Sequence, residues 1–177
     1  MTHVLDRSEA ERRFALVFAH LGAVAAYARR RGSSDPDGIA AEAMAIAWRR
    51  LAAVPTDDPR PWLYATARNL LYAEARGAAK TGREAGSPGV GGAHEVSELD
   101  PELATALREL SPHDREALLL VAWEDLTPTQ AARALRINPT AFRVRLLRAR
   151  RRLRARLEER PNGTQPDQRA HLEVERT

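Results

Sequence analysis

Apolar residues recur at helical spacing along most of the chain, and no segment alternates polar and apolar residues as a strand does. In the front half, capping residues and apolar stripes predict three helices, over residues 8–30, 37–53 and 62–79. The first is expected to start at a capping-box pattern formed by Ser8 and Glu11. The pattern therefore predicts an all-α fold.

Two segments between the predicted helices, and one after them, are expected to be non-helical. Three prolines in residues 54–61 remove backbone donors and hold the preceding residues in extended geometry, which predicts a loop. Residues 81–99 are rich in glycine and poor in apolar side chains, so burial cannot offset the entropy of ordering them. We interpret them as a flexible linker, and the polar segment 161–177 as a disordered tail.

The back half carries four helix starts in which a capping residue precedes proline, the residue that fits the first helical position without losing a hydrogen bond. These starts are Asp100–Pro101, Ser111–Pro112, Thr127–Pro128 and Asn138–Pro139. Only a few residues separate the last two helices, which predicts a helix-turn-helix. Many such turns contain glycine, and this one has Arg136. Either the turn avoids positive φ or Arg136 bears some strain.

The last predicted helix has one apolar face and an arginine-rich remainder. Its apolar face consists of Phe142, Leu146, Ala149 and Leu153. Eight arginines and no acidic residue occupy other positions before Glu158. Such a helix can be a solvated face, an RNA-binding arm or a membrane-surface helix. The short capped helix ahead of it favours duplex DNA, with the arginine-rich helix in the major groove.

Composition excludes several classes of site. The 177-residue chain has a formal net charge of +4 and no cysteine, so disulfides and thiolate metal sites are excluded. Its five histidines are scattered, and we expect no metal and no cofactor. No apolar run is long enough to cross a bilayer, and the N-terminus lacks the pattern of a signal peptide. We expect a cytoplasmic protein without membrane insertion.

The third predicted helix mixes aromatic, basic and amide side chains outside its apolar stripe. Aromatic rings can stack on exposed bases, and arginines can bind phosphates, so this mixture suits single-stranded or opening DNA. Alternatively, Trp62 and Tyr64 fill the core of a small bundle. The candidate contacts are Trp62, Tyr64, Arg68, Asn69, Tyr72 and Arg76.

These residues resemble a known family. Residues 37–51 and 61–70 look like conserved region 2 of the extracytoplasmic-function (ECF) sigma factors of bacterial RNA polymerase, and residues 110–118 with the helix-turn-helix through Leu153 look like their region 4. The resemblance implies a region 2-like domain over residues 1–80 and a region 4-like domain over 100–160. One departure is Gly38, which is expected to weaken a helix start where the family usually has acidic residues.

The resemblance also implies partners and roles. Partners would be core RNA polymerase, promoter DNA and, in many members, an anti-sigma factor. The loop at 53–60 would hold a base flipped from the minus-10 element, and the 62–76 helix would hold the non-template strand during melting. Core polymerase would contact Asp37, Glu42, Trp48 and Arg49. The minus-35 element would be read by Thr140, Arg143, Val144, Arg145 and Arg148.

Three alternative functions would each require features that the sequence lacks or leave others unexplained. An operator-binding regulator would need a dimer surface or a ligand pocket in the front half, and neither has a signature in the sequence. An enzyme acting on nucleic acid would need clustered carboxylates, a metal set or a nucleophile–base pair. Asp57 and Asp58 form the one tight carboxylate pair, without a partnering histidine, so we expect no catalysis. An adaptor protein would leave the arginine-rich helix unexplained.

Overall fold

The computed structural model describes residues 6–80 and 100–159, and within them every regular element is a helix. The all-α prediction is confirmed, whereas the predicted linker 81–99 and tail 161–177 lie outside the described residues. The front module, residues 6–80, contains α1 (Arg7–Phe18), α2 (Leu21–Arg30), α3 (Pro36–Arg49), a 3₁₀ turn (Leu51–Ala53) and α4 (Arg60–Lys80). The back module, residues 100–159, contains α5 (Pro101–Glu109), α6 (Pro112–Ala122), α7 (Pro128–Leu135) and α8 (Pro139–Glu158).

The start of the chain differs from the prediction of one helix over 8–30. The helix is interrupted after Phe18, so α1 and α2 are separate. Its N-cap is Asp6, whose carboxylate accepts from the Glu9 amide at 3.0 Å, and the predicted cap at Ser8 was wrong. Asp6 is favoured as the N-cap because its carboxylate pairs with a free amide of the first turn and is stabilised by the helix dipole. Phe18, at the interruption, is 48% exposed.

Gly38 proves to be part of a helix cap. The carboxylate of Asp35 folds over the first turn of α3 and accepts from the Gly38 amide at 2.9 Å. A Cβ at position 38 would lie 2.0 Å from Asp35 Oδ2. The missing side chain therefore makes room for the capping carboxylate, which offsets the weak helix propensity of glycine.

All four predicted caps of the back module are confirmed. The side chains of Asp100, Ser111, Thr127 and Asn138 each accept from an amide in the first turn of the following helix. Arg136, in the turn between α7 and α8, has φ 55° and ψ 43°. Of the two alternatives for this turn, the strained one is therefore correct, because a side chain in the left-handed region crowds its own backbone.

The two modules pack on each other, with α7 against α4. Buried residues of both modules belong to one continuous hydrophobic cluster. The back module buries the predicted apolar face of α8, with Phe142, Leu146 and Ala149 inside and Leu153 partly covered. None of the helices in the described part of the chain combines the length and apolarity needed to cross a membrane.

Candidate functional site

The outer side of α8 forms an open groove that most of the predicted duplex-reading residues line. Because Phe142, Leu146 and Ala149 fix the inner side of the helix, the polar residues between them face outward. Among the residues lining the groove are four of the five predicted contacts: Thr140, Val144, Arg145 and Arg148. The fifth, Arg143, is exposed outside the groove.

The groove is positively charged, with one acidic residue on its wall. Asp114, in the first turn of α6, forms a short ion pair with Arg152 and so neutralises part of that wall. Asn138 caps the start of α8, whose free amides carry the positive end of the helix dipole. The groove therefore favours a polyanion such as a nucleic-acid backbone.

The six predicted contacts on α4 fall on two adjoining faces of the helix, which differ in burial. Residues seven apart share a face, and so do residues four apart, because an α-helix has about 3.6 residues per turn. The open face carries Trp62, Asn69 and Arg76; Asn69 and Arg76 are exposed and Trp62 is half-buried. The covered face carries Tyr64, Arg68 and Tyr72 and is turned toward the back module. The six residues therefore do not form one exposed surface.

Tyr64 is the member of the covered face that departs most from its predicted role. It is 3% exposed, and its ring stacks on Tyr27 of α2 with centroids 4.8 Å apart. Burial, reinforced by the charge of Glu124, raises the pKa of Tyr64 to about 12. The alternative that Tyr64 belongs to the core therefore describes this arrangement, and the ring cannot stack on a base while it stacks on Tyr27.

Arg68 and Tyr72 lie further along the covered face. Arg68 donates to the Tyr72 hydroxyl at 2.8 Å, and its guanidinium lies 4.8 Å from the centre of that ring. Both side chains line a small cavity with His113 and Glu116 of the back module. The covered face of α4 thus lies at the boundary between the two modules.

The proline loop that precedes α4 is also held by the back module. Asp58 Oδ2 accepts from Gln130 Nε2 of α7 at 2.6 Å, and Asp57 forms an exposed ion pair with Arg133 at 3.6 Å. Partial burial alone would raise the pKa of Asp58, but hydrogen bonds from Arg60 and Gln130 and the Arg60 charge outweigh it, so the pKa is lowered. The first helix of the helix-turn-helix therefore covers the loop predicted to hold a flipped base.

The predicted polymerase contacts on α3 are all exposed but form two groups. Glu42 and Arg49 make an ion pair at 2.9 Å, and Asp37 lies in the first turn. Trp48 is 46% exposed and packs edge-on against Phe14 of α1, which in turn contacts Phe18. We call Phe14, Phe18 and Trp48 the aromatic patch. Of these three residues only Trp48 was predicted to contact polymerase, because the helix over residues 8–30 was predicted without the interruption next to Phe18.

A buried ion network joins the modules, and sequence reasoning missed it. Arg31 of α2 donates to Glu116 of α6 at 3.0 Å and to Glu124 at 2.9 Å. Arg30 also pairs with Glu124, at 2.6 Å, and the Tyr27 hydroxyl donates to Glu116 at 3.0 Å. We call these five residues the interface network. They come from two distant segments, residues 27–31 and 116–124, and no local sequence pattern connects the two.

The charges within the interface network stabilise one another. Burial alone would lower the pKa of Arg31, but Glu116, Tyr27 and Glu124 act against it and raise the pKa overall, so Arg31 stays charged. Among the described residues, no buried side-chain polar atom lacks a hydrogen-bond partner. Within residues 6–80 and 100–159, no group of three or more histidine or acidic side chains is placed to hold a metal ion.

Known proteins match both the back module and the whole arrangement. The family model described as sigma-70, region 4 matches residues 101–153, from α5 into α8. The solved structure of CnrH in complex with the cytosolic domain of CnrY is similar with a TM-score of 0.61 and 26% identity, covering 86% of this chain and 96% of that one. The back module thus matches region 4 of the sigma-70 family, and the arrangement of both modules is similar to that of CnrH.

Two further structures share the fold of this chain at lower identity. The sigma factor RpoE of Bartonella quintana, solved with the anti-sigma factor NepR, has a TM-score of 0.57 at 21% identity, covering 81% of this chain and 95% of that one. The PhyRSL–NepR complex from Sphingomonas sp. Fr1 gives 0.58 at 21% identity, covering 88% and 95%. Among curated proteins, none matches this chain closely enough to count as a relative.

Proposed function

We propose that this chain is a sigma factor of the ECF type, which directs bacterial core RNA polymerase to promoters. In this proposal the back module reads the minus-35 element, and the front module holds the minus-10 element as it opens. The observation that carries the proposal is the coincidence of the region 4 match with a fully capped helix-turn-helix whose outer groove is lined by arginine. Neither module carries out catalysis in this scheme.

In the back module, base reading falls to the residues that line the groove of α8. Arg145 and Arg148 can each present two parallel N–H groups to the edge of a guanine, and the Val144 methyls can contact thymine methyl groups. Arg143, outside the groove, and the exposed arginines further along α8 serve the phosphate backbone, which sets affinity and its salt dependence without reading sequence.

In the front module, single-strand binding falls first to the open face of α4. Trp62 offers a partly exposed ring for a base, Arg76 a charge for phosphate, and Asn69 an amide for a base edge. Arg68 and Tyr72 line the boundary with the back module, and the proline loop contacts α7, so these parts can join only when the back module moves away. Tyr64 is buried against Tyr27 within the front module and does not belong to this surface.

Core polymerase docks on the exposed side of α3 and on the aromatic patch. Exposed aromatic side chains are costly in a monomer unless a partner covers them. Phe18 and Trp48 are exposed on the same module as the predicted charged contacts Asp37, Glu42 and Arg49. The aromatic patch thus adds Phe14 and Phe18 to the proposed polymerase surface.

An anti-sigma factor is a further proposed partner, in the cytoplasm where polymerase works. Leu147 is 61% exposed and Val144 42% exposed on α8, among arginines. An acidic amphipathic segment would cover both the apolar side chains and the charge, and would block the groove. RpoE of Bartonella quintana was solved with an anti-sigma factor, which supports the kind of partner.

The direct experiment is transcription in vitro with bacterial core polymerase on a library of promoter fragments. The proposal expects new start sites that appear only when core polymerase and the chain are both present. A matched gel-shift assay separates the operator-binding alternative, because an ordinary regulator would shift a duplex probe without polymerase, and this chain should do so weakly.

A further inference from the structure

We propose that Asp114 is a positioning residue for the reading of duplex DNA. Its buried carboxylate holds the guanidinium of Arg152 at one end of the α8 groove, so that Arg152 contacts the DNA backbone at one fixed place and adds no net charge to the groove. The inference rests on the proposed function, because it concerns the groove to which minus-35 reading is assigned. Neither residue belongs to the set of contacts predicted from the sequence.

The carboxylate of Asp114 has a fixed position at the start of α6. Its side chain is only 6% exposed, and α6 packs against α8. The Ser111 hydroxyl caps the helix by accepting from the Asp114 amide at 3.2 Å, so the Asp114 carboxylate is not needed as the cap. The positive end of the helix dipole stabilises a carboxylate in the first turn. Asp114 therefore presents an immobile negative charge to the wall of the groove.

Arg152 is held at one nitrogen and remains open to a ligand at the others. Its Nη1 donates to Asp114 Oδ2, while 58% of its side chain is exposed. A guanidinium has five N–H donors, and this bond uses one of them. Arg152 follows Arg148 by four residues, so the two lie on the same side of α8, and both line the groove and a second hollow further along the helix. Arg152 thus stands where the groove continues along α8.

The ion pair separates the position of Arg152 from its charge. Within the described residues, Arg152 is the one arginine of the groove with an acidic partner. An unrestrained arginine loses rotamer freedom when it binds and can follow a phosphate to several places, whereas Arg152 is already oriented. The neutral pair adds little to the charge-driven affinity for any duplex. Phosphate contacts set the register at which a recognition helix meets the base edges, so an oriented contact without net charge favours discrimination over affinity.

The salt dependence of duplex binding tests the charge of the pair. Asp114→Asn keeps the size of the side chain and releases the charge of Arg152. Binding of the free full-length chain to a duplex of random sequence, measured over a range of salt concentrations, should become tighter at low salt, and its salt slope should steepen by about 1. Arg151→Gln, which removes an exposed arginine outside the groove, is the control and should make the slope shallower by about 1. An unchanged slope in Asp114→Asn would overturn the proposal.

Discrimination between sequences tests the positioning role. The upstream element is first selected from random duplexes with the unmodified chain and core polymerase. The preference of that complex for the selected element over a scrambled one should fall about three- to tenfold in Asp114→Asn, the size of coupling expected between residues of one ion pair. A loss of stability alone would not combine this fall with a steeper salt slope.

The double variant D114N/R152Q separates charge from position. It has the net charge of the unmodified chain, and its two amide side chains can still form a hydrogen bond across the groove wall. Its salt slope should return to the original value, while discrimination stays low because the oriented arginine is missing. Full recovery of discrimination would contradict the role of Arg152. If the unmodified chain selects no element with core polymerase, the proposed function fails, and the salt slope of Asp114→Asn still tests the pair.

Discussion

The ring of Tyr64 on α4 stacks on the ring of Tyr27 on α2, with centroids 4.8 Å apart and planes inclined by 18°. Both phenols are buried, and burial raises the pKa of each, that of Tyr64 to about 12. The stack lies against the interface network, because the Tyr27 hydroxyl donates to Glu116. Burial therefore raises the pKa of both tyrosines first, and the charges of Glu116 and Glu124 in the back module add to it.

This leads to a prediction about alkaline pH. A phenol whose pKa is raised on folding stabilises the folded state fully below its unfolded value of about 10, and that contribution is lost as pH rises through about 12. Tyrosinate absorbance in the native chain should therefore show delayed ionisation of Tyr64, and Tyr64→Phe should remove that component. In the E116Q/E124Q chain, ionisation should move toward pH 10. Unchanged delayed ionisation in that variant would indicate that the stack survives without the network.

A second prediction concerns reading by α8. Arg145→Ala should weaken binding to the minus-35 element by about 1–3 kcal/mol, because Arg145 lines the groove and can bind a guanine edge. Association with core polymerase should be unchanged. Measurement is by competition between matched and scrambled upstream elements in the presence of core polymerase.

The matched control for that variant is Arg150→Ala, which removes an exposed arginine from the same helix outside the groove. It should weaken binding to all sequences alike and reduce the salt slope by about 1. Equal loss of discrimination in both variants would mean that the groove is not a dedicated reader.

A third prediction separates the two faces of α4. Asn69→Ala together with Arg76→Ala alters only the open face, where both side chains are exposed. The double variant should form closed complexes normally and open them poorly, which permanganate reactivity of promoter thymines measures. Arg29→Ala, an exposed arginine on α2 outside every proposed surface, should open promoters normally. Normal reactivity in the double variant would remove the open face from the strand-holding surface.

A fourth prediction concerns the turn of the helix-turn-helix. Arg136 has φ 55°, a conformation that glycine adopts without strain, so Arg136→Gly should raise the free energy of unfolding by up to about 1 kcal/mol. Arg150→Gly, within the regular part of α8, should lower it by about 1 kcal/mol. Chemical denaturation of both variants checks the signs. A loss of stability in Arg136→Gly would show that the Arg136 side chain makes a contact worth more than the strain.

The back module could be predicted from the sequence because its determinants are local. Asn138 followed by proline, and apolar residues returning every three or four positions, specify α8 without reference to the rest of the chain. The region 4 match falls on the same residues. Where the pattern allowed two outcomes, as at Arg136, the structure shows the strained one.

The placement of the front module could not be predicted in the same way. Glu116 lies in a helix that reads as an ordinary amphipathic segment, and its partner Arg31 is far away in sequence. The same holds for Tyr64, whose neighbour Tyr27 lies on another helix. Long-range pairing leaves no periodic signal, so a residue can be assigned the right helix and still the wrong face. The roles assigned to individual residues on α3, α4 and α8 remain predictions.

The central claim is that the chain gives bacterial core polymerase a promoter preference, and one assay addresses it directly. Core polymerase is incubated with promoter fragments with and without the purified chain, and the 5′ ends of all transcripts are sequenced. We predict a set of start sites that appears only with the chain, preceded by two shared sequence elements, the upstream one lost with Arg145→Ala. Identical start sites with and without the chain would contradict the account.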